Sequence, residues 1–202
     1  MPEIKVKICG LSRITDIEAV NNEKPDYIGF VFAESKRKIT PEKAAELRSL
    51  LSPKILSVGV FVNEAMEKII SLYQNNVINI IQLHGQENEQ YIKELKSLTN
   101  APIIKAVSIK LKGDAQKYNN SSADYLLLDH LSGGTGQTFN WDLIGETGKP
   151  YFLAGGLNIN NVREAILKTN LFAVDVSSGV ETNGFKDAAK IKDFMEVINE
   201  YR

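Results

Sequence analysis

The one cysteine of this chain, Cys9, ends the short run Lys5–Cys9, in which apolar and polar residues alternate. Period-two alternation places Cys9 on the same strand face as Lys7. A thiolate is the reactive form of cysteine, and a nearby ammonium group lowers the thiol pKa. The pattern therefore predicts a reactive Cys9 with a lowered pKa, although a lone cysteine can also be a small buried residue.

A second candidate for chemistry is Asp129, which directly follows the apolar run Leu126–Leu128. Apolar surroundings raise the pKa of a carboxyl group, and a carboxyl group that stays partly protonated can act as a general acid. The alternative is an aspartate that only caps the turn after its strand.

Polar side chains also end two other strand-like runs. Gln82 and His84 alternate onto one face at the end of Ile78–Leu83, and Asp175 shares a face with Ser177 at the end of Ala173–Val176. We expect these groups to enter one site. A single histidine can equally be a hydrogen-bonded core residue, and no second ligand accompanies it at metal-binding spacing, so we predict no metal site.

Glycine-containing turns follow the last two strand-like runs. One contains Gly155 and Gly156, and the other contains Ser178 and Gly179. They lack the GxGxxG spacing of dinucleotide folds, yet backbone N–H groups in such turns can bind phosphate without obstruction from side chains. Two ordinary tight turns are the alternative.

Two loops complete the predicted site. The basic loop Ala33–Lys38 carries Arg37, whose guanidinium group can bind a carboxylate through two hydrogen bonds. The long glycine-rich stretch Leu131–Thr138 is predicted to be a mobile cover over the site.

The composition fits one domain, residues 1–202, with 43% hydrophobic residues and a net charge of −1. This charge gives no general attraction to nucleic acid or to an anionic membrane. The N-terminus lacks a signal-peptide pattern, and no apolar run reaches the ~18 residues of a membrane span. We therefore expect a cytoplasmic protein.

The elements that must position these residues alternate along the whole chain. Eight strand-like runs are separated by amphipathic segments such as Pro41–Leu51, and the weakest predicted helix is Leu111–Ser122. Thr40 and Asn63 are predicted N-caps of two helices. Runs that are apolar on both faces belong to sheets covered by helices, so the sequence predicts a (β/α)8 TIM barrel. An open doubly wound sheet is the alternative, but no run resembles a polar edge strand.

Over nearly its whole length the chain resembles the phosphoribosylanthranilate isomerase family of tryptophan biosynthesis. The resemblance depends on Lys7–Gly10, Gly29–Phe32 with Ser35–Arg37, Val60–Asn63, Gln82–Gly85, Asp129 with Gly133–Gly136, Ala154–Asn158 and Val174–Glu181. It implies an Amadori rearrangement of N-(5-phosphoribosyl)anthranilate to 1-(2-carboxyphenylamino)-1-deoxyribulose 5-phosphate.

The same resemblance implies site roles: Cys9 as general base, Asp129 as general acid, Arg37 for the anthranilate carboxylate, and the two glycine turns for the phosphate. We expect Gln82, His84 and Asp175 to contact substrate. The resemblance implies no cofactor or metal and a phosphosugar substrate. The sequence does not distinguish a monomer from a homodimer. Two alternatives stay open, another phosphosugar isomerase and a non-catalytic phosphosugar-binding barrel. The presence of both Cys9 and Asp129 argues against each.

Overall fold

A computed structural model describes residues 3–130 and 138–202 of the chain. In these residues eight parallel strands close into a barrel, because each strand pairs with the next and β1 pairs with β8. The closed barrel is the predicted fold, and an open sheet is excluded. Strands β1 to β8 are Lys5–Cys9, Tyr27–Val31, Leu56–Phe61, Ile80–Leu83, Ile103–Ser108, Tyr125–Asp129, Tyr151–Leu153 and Ala173–Val176.

Helices follow six of the strands in the described residues. They are α1 Ile14–Glu23, α2 Pro41–Leu50, α3 Met66–Gln74, α4 Glu89–Leu98, α5 Val162–Lys168 and α6 Ala188–Asn199. Thr40 caps α2 as predicted, because its side chain accepts a hydrogen bond from the Lys43 N–H. The cap predicted at Asn63 is wrong. Asn63 has a φ of 48° and its side chain accepts from the Gln86 N–H instead.

The helix predicted over Leu111–Ser122 is also wrong, since only the 3₁₀ helix Ala115–Tyr118 forms there. Gly113 adopts a φ of 99°, which interrupts a helix, and the Asp114 carboxylate accepts from the N–H groups of Lys110 and Leu111. Such local hydrogen bonds compete with helix formation. The 3₁₀ helix Trp141–Leu143 lies between β6 and β7.

Apolar side chains form two cores, one between barrel and helices and one inside the barrel. Val6 and Ile8 of β1 belong to the outer core, as the alternation predicts. Inside the barrel, Phe152 packs edge-on against the rings of Tyr27 and Tyr125. This aromatic layer fills the barrel interior, so the polar residues of the strands gather above it.

A two-stranded hairpin that the sequence did not predict follows β8. Its strands are β9, Glu181–Thr182, and β10, Phe185–Lys186. Arg13 fastens the hairpin to the barrel, because its Nη2 donates to the Lys186 carbonyl at 2.7 Å and its guanidinium lies over the Phe185 ring. The hairpin thereby brings Glu181 and Lys186 to the barrel mouth.

No helix among the described residues combines the length and apolar character that crossing a membrane requires.

Candidate active site

A cavity of about 240 Å³ opens at the carboxyl ends of the strands. All predicted site residues line it except Gly179, which neighbours the lining residue Ser178. The predicted residues in its wall are Cys9, Arg37, Gln82, His84, Asp129, Gly155, Gly156, Asp175 and Ser178. The fold therefore brings together strand ends that are far apart in the sequence.

Cys9 lies at the end of β1 as a free, buried thiol. Its sulfur lies across Gly29 of β2, where a Cβ atom would come within 2.6 Å of Sγ. Burial raises the pKa of Cys9, and the ammonium groups of Lys7 and Lys186 offset only part of that rise. The predicted lowering of the thiol pKa is therefore wrong, because burial outweighs the cations.

Lys7 and Asp175 form an ion pair inside the barrel, with Nζ 3.0 Å from Oδ1. Neighbouring strands β1 and β8 place them directly opposite each other. The Lys7 side chain is fully buried. Although burial favours neutral Lys7, the charges of Asp175 and Cys9 raise its pKa above the ordinary value. Lys7 therefore remains an ammonium group next to the thiol.

Asp129 ends β6 and is buried at the cavity wall. Burial raises its pKa to about 6, and the negative charge of Asp175 acts in the same direction. Its Oδ1 also accepts a hydrogen bond from the His130 N–H at 2.7 Å. Asp129 thus has the raised pKa predicted for it while also bonding the backbone of the following turn.

Gln82 and His84 contact each other beside Asp129. Gln82 Nε2 lies 2.9 Å from His84 Nδ1, and His84 Nε2 lies 3.6 Å from Asp129 Oδ2. Burial lowers the pKa of His84 to about 4, and the ammonium groups of Lys7 and Lys105 contribute to the decrease. His84 is therefore a neutral imidazole at pH 7. Gln82 Oε1 is buried and has no hydrogen-bond partner among the described residues.

Arg37 is held at the mouth by Glu181. Its Nε donates to Oε1 at 2.6 Å and its Nη2 donates to Oε2 at 3.0 Å. Hydrogen bonding to Glu181 raises the pKa of Arg37. Although burial opposes it, contact with Arg37 and Lys186 lowers the pKa of Glu181 to about 2. Arg37 is thus fixed in place and charged.

The two glycine turns lie next to each other at the mouth. Gly155 and Gly156 have φ values of 83° and 64°, and their N–H groups donate no backbone hydrogen bond within the described residues. Ser178 and Gly179 begin the 3₁₀ helix Ser178–Val180, where first-turn N–H groups lack helical partners. A Cβ at Gly179 would approach the Leu157 carbonyl oxygen to 2.0 Å, so this packing requires glycine.

The cover predicted over Leu131–Thr138 lies outside the described residues, apart from Thr138. Among the residues described, no three His, Cys, Asp or Glu side chains are grouped to hold a metal ion. What the cavity offers is a thiol, a carboxyl group with a raised pKa, a guanidinium group and free backbone N–H groups.

Comparison with known proteins decides the family. The family model for N-(5'-phosphoribosyl)anthranilate (PRA) isomerase matches residues 6–197. This chain belongs to the PRA isomerase family. Curated PRA isomerases from Endomicrobium trichonymphae and Thermoanaerobacter sp. (strain X514) are each 48% identical to it. These alignments cover 96% and 98% of this chain and 98% and 100% of the relatives.

Solved PRA isomerases have the same barrel. The structure from Thermotoga maritima superposes with a TM-score of 0.89 at 38% identity, covering 98% of this chain and 99% of the other. A PRA isomerase in complex with reduced 1-(o-carboxyphenylamino)-1-deoxyribulose 5-phosphate superposes with a TM-score of 0.84 at 36% identity, with the same coverage.

Compared with the predicted site, this PRA isomerase family member has three further charged residues close to the predicted ones, with Lys7 inside the barrel and Glu181 and Lys186 on the hairpin. In the sequence, Lys7 is visible only as a neighbour of Cys9 and Glu181 only as part of a motif, and no pattern points to Lys186. Lys186 Nζ bonds the Ser177 carbonyl at 3.0 Å and Glu181 Oε1 at 2.7 Å. Asn183-Gly184 is a typical hairpin turn, but strands of two residues each are too short to show the alternation that would mark them as a hairpin.

Proposed function

We propose that this chain catalyses the isomerisation of N-(5'-phosphoribosyl)anthranilate in tryptophan biosynthesis, with Asp129 as general acid and Cys9 as general base. One observation carries the residue roles: the Cys9 thiol and the Asp129 carboxyl group, the candidates for proton transfer, line the same cavity. The reaction is an Amadori rearrangement, in which an aldose derivative becomes a ketose derivative without net oxidation.

In the first step Asp129 gives its proton to the ribose ring oxygen. The bond between that oxygen and C1 breaks, and the nitrogen lone pair forms a protonated imine with C1. A pKa of about 6 leaves roughly a tenth of Asp129 protonated at pH 7, compared with about a thousandth at its ordinary value. Burial of Asp129 therefore supplies the acid form that this step consumes.

In the second step the Cys9 thiolate removes the proton from C2. The electrons of that C–H bond form a C1=C2 double bond, and the electrons of the C=N bond return to the nitrogen. The resulting enol loses its hydroxyl proton while C1 gains one, which gives the amino ketone. Because the imine accepts the electrons, the step needs only one base.

Binding groups surround the reacting atoms. Arg37 binds the anthranilate carboxylate through charge-assisted hydrogen bonds, and free N–H groups at Gly155, Gly156, Ser178 and Gly179 bind the phosphate. Gln82 Oε1, which has no partner among the residues that the structure describes, accepts a hydrogen bond from a substrate hydroxyl. His84 and Asp175 contact the sugar from the strand ends that carry them.

Single substitutions test the proton-transfer roles. Cys9→Ala and Asp129→Asn should each lower kcat at least ~10²-fold, the usual scale for loss of a general base or acid. The assay follows anthranilate fluorescence with freshly formed substrate and a chelator present, and the parent enzyme should be insensitive to the chelator. Arg163→Ala, in an exposed ion pair with Glu200, is the control.

Near-parental turnover by folded Cys9→Ala would show that the base is another group. A parent protein that binds the product analogue but never turns over substrate would instead favour a non-catalytic phosphosugar-binding barrel.

Assembly and location complete the proposal. A PRA isomerase from Thermotoga maritima is described as dimeric. For this chain, residues 1–202 form one domain that acts in the cytoplasm as a monomer or a homodimer, and sedimentation analysis distinguishes the two assemblies.

A further inference from the structure

Two charged side chains on the hairpin after β8 neither give nor take a proton in the steps above. Glu181 of β9 and Lys186 of β10 are cross-strand partners, and their side chains meet with Nζ 2.7 Å from Oε1. Both are nearly inaccessible to solvent, at 5% and 1% exposure. Burying charged groups is costly even when they are paired, so a buried ion pair beside the site suggests a functional role.

Glu181 also occupies one particular edge of Arg37. Its two carboxylate oxygens accept from Nε and Nη2, which lie along the side of the guanidinium group. A guanidinium carries five N–H donors in a rigid fork. The bidentate contact uses two of them and leaves both N–H groups of Nη1 and one of Nη2. Within the described part of the chain the end of the fork has no other partner, so it is still available for a second carboxylate.

We propose that Glu181 and Lys186 are positioning residues that make Arg37 selective for the substrate carboxylate. Glu181 fixes the plane and direction of the guanidinium, and Lys186 compensates the charge of Glu181. The inference rests on the proposed function, in which Arg37 binds anthranilate.

Charge explains why both residues are needed. A buried carboxylate alone would cancel the positive charge of Arg37 and repel an incoming anion. With Lys186 in contact with Glu181, the three side chains carry a net charge of +1. The Lys186 ammonium is itself held by the Ser177 carbonyl oxygen at 3.0 Å. The cluster thus combines a fixed geometry with a net attraction for a carboxylate.

Neighbouring backbone confines Arg37 from the opposite side. A Cβ at Gly10 would lie 2.4 Å from Arg37 Cδ, so the arginine stem lies directly on a glycine. On the hairpin side, Arg13 donates to the Lys186 carbonyl oxygen at 2.7 Å. Arg37 is therefore held between β1 and the hairpin, which is the pre-organisation that a selective anion site needs.

A ligand comparison tests this proposal. The probes are reduced 1-(o-carboxyphenylamino)-1-deoxyribulose 5-phosphate and the same compound with phenyl in place of carboxyphenyl. The ratio of their Kd values measures selectivity for the carboxylate. Glu181→Gln should reduce the ratio about tenfold, because on this proposal the loss of a fixed guanidinium outweighs the gain of one positive charge, and tenfold corresponds to about 1.4 kcal/mol. Its affinity for the phenyl compound should stay within about twofold of the parent.

Further variants separate position from charge. Glu181→Asp keeps the negative charge, but its side chain is one methylene shorter and places the carboxylate farther from Arg37. This variant should also lose selectivity. Lys186→Met should lose selectivity because the charge of Glu181 is then uncompensated. In an Arg37→Ala background, Glu181→Gln should change the ratio no further. Glu196→Gln, in an exposed pair on α6, is the matched control and should keep the parental ratio.

The outcomes distinguish this proposal from the one it rests on. Parental selectivity in folded Glu181→Gln and Glu181→Asp, while Arg37→Ala loses it, would overturn the positioning role and leave the Arg37 assignment intact. No selectivity in the parent, or full selectivity in Arg37→Ala, would overturn the Arg37 assignment itself and this proposal with it. The catalytic roles of Cys9 and Asp129 would stand in either case.

Discussion

The two sides of the barrel mouth surround their proposed proton-transfer groups with different neighbours. On the side of β4 and β6, Asp129 lies beside the neutral imidazole of His84. On the side of β1 and β8, Cys9 lies within reach of the charges of Lys7 and Lys186. Burial raises the pKa on both sides, to about 6 for Asp129 and above the ordinary value for Cys9.

The rise in pKa that burial causes thus favours the proposed role of Asp129 and opposes that of Cys9. A general acid gains from a raised pKa because more of it is protonated at neutral pH, whereas a thiol base loses its ionised form. Ammonium groups act on both sides, but with different results. Lys7 and Lys105 lower the pKa of His84, whereas Lys7 and Lys186 recover part of the Cys9 thiolate that burial removes.

The largest expected effect comes from breaking the ion pair on the base side. Lys7→Met leaves the Asp175 carboxylate buried without its partner, which should cost about 3–5 kcal/mol of unfolding free energy. It should also raise the pKa of Cys9 further. Urea denaturation measures the first effect. Lys43→Met, which breaks an exposed pair with Glu46, should cost at most about 1 kcal/mol. If the two variants lose the same unfolding free energy, the buried Lys7–Asp175 pair contributes no more to stability than an exposed pair.

On the acid side, removing the titrating group should stabilise the protein. The pKa of Asp129 rises from 3.8 to about 6 in the folded state, which corresponds to about 3 kcal/mol of destabilisation when it is ionised. The penalty is fully present above pH 6 and disappears as the pH falls toward 4, where the group is protonated in both states. Asp129→Asn should therefore be more stable than the parent at pH 8 and similar to it near pH 4.

Thermal unfolding across this pH range measures the difference, with exposed Asp193→Asn on α6 as the control. An Asp129→Asn variant that is less stable than the parent at pH 8 would mean that burial of this carboxylate carries no penalty.

His84 should show the opposite pH dependence. Its pKa falls from 6.5 to about 4 in the folded state, so its neutral form is favoured and stability is lost as the pH falls below 6.5. In the parent, the gain from Asp129 and the loss from His84 oppose each other between pH 6 and 4. Asp129→Asn should accordingly lose stability more steeply than the parent on acidification.

The smallest expected effect concerns Lys186. Because Cys9 is the only cysteine, the rate of iodoacetamide alkylation reports on this thiol alone. Lys186→Met should slow alkylation at pH 8 about threefold to tenfold, since the Lys186 ammonium lowers the pKa of Cys9 and its removal leaves less thiolate. Lys192→Met, an exposed lysine on α6, should leave the rate unchanged. Equal rates in parent and Lys186→Met would remove Lys186 from the account of the base.

Features of this site that depend on neighbouring residues in the sequence are predictable, whereas contacts between residues far apart in the sequence are not. The barrel and the strand-end positions of Cys9 and Asp129 follow from local alternation and apolar runs, so they were predictable. The pairing of Lys7 with Asp175 joins residues 168 positions apart and emerges only when β8 closes on β1. The hairpin carrying Glu181 and Lys186 was missed for another reason, because each of its strands has only two residues and shows no alternating pattern.

The direction of the Cys9 pKa shows a second limit. A nearby lysine is visible in the sequence, but the degree of burial at the end of β1 is not. Burial is the larger effect here, so the prediction from Lys7 alone had the wrong sign.

The central claim is that Asp129 must be protonated and Cys9 ionised, and a pH profile of kcat/KM tests it most directly. With those requirements, the parent rate should rise up to about pH 6, stay level until the pKa of Cys9, and then fall. Asp129→Asn should lose the break near pH 6, and its much lower rate should keep rising through neutral pH. Ionisation of the substrate phosphate affects both proteins equally. A level profile in Asp129→Asn over the same range would contradict the account.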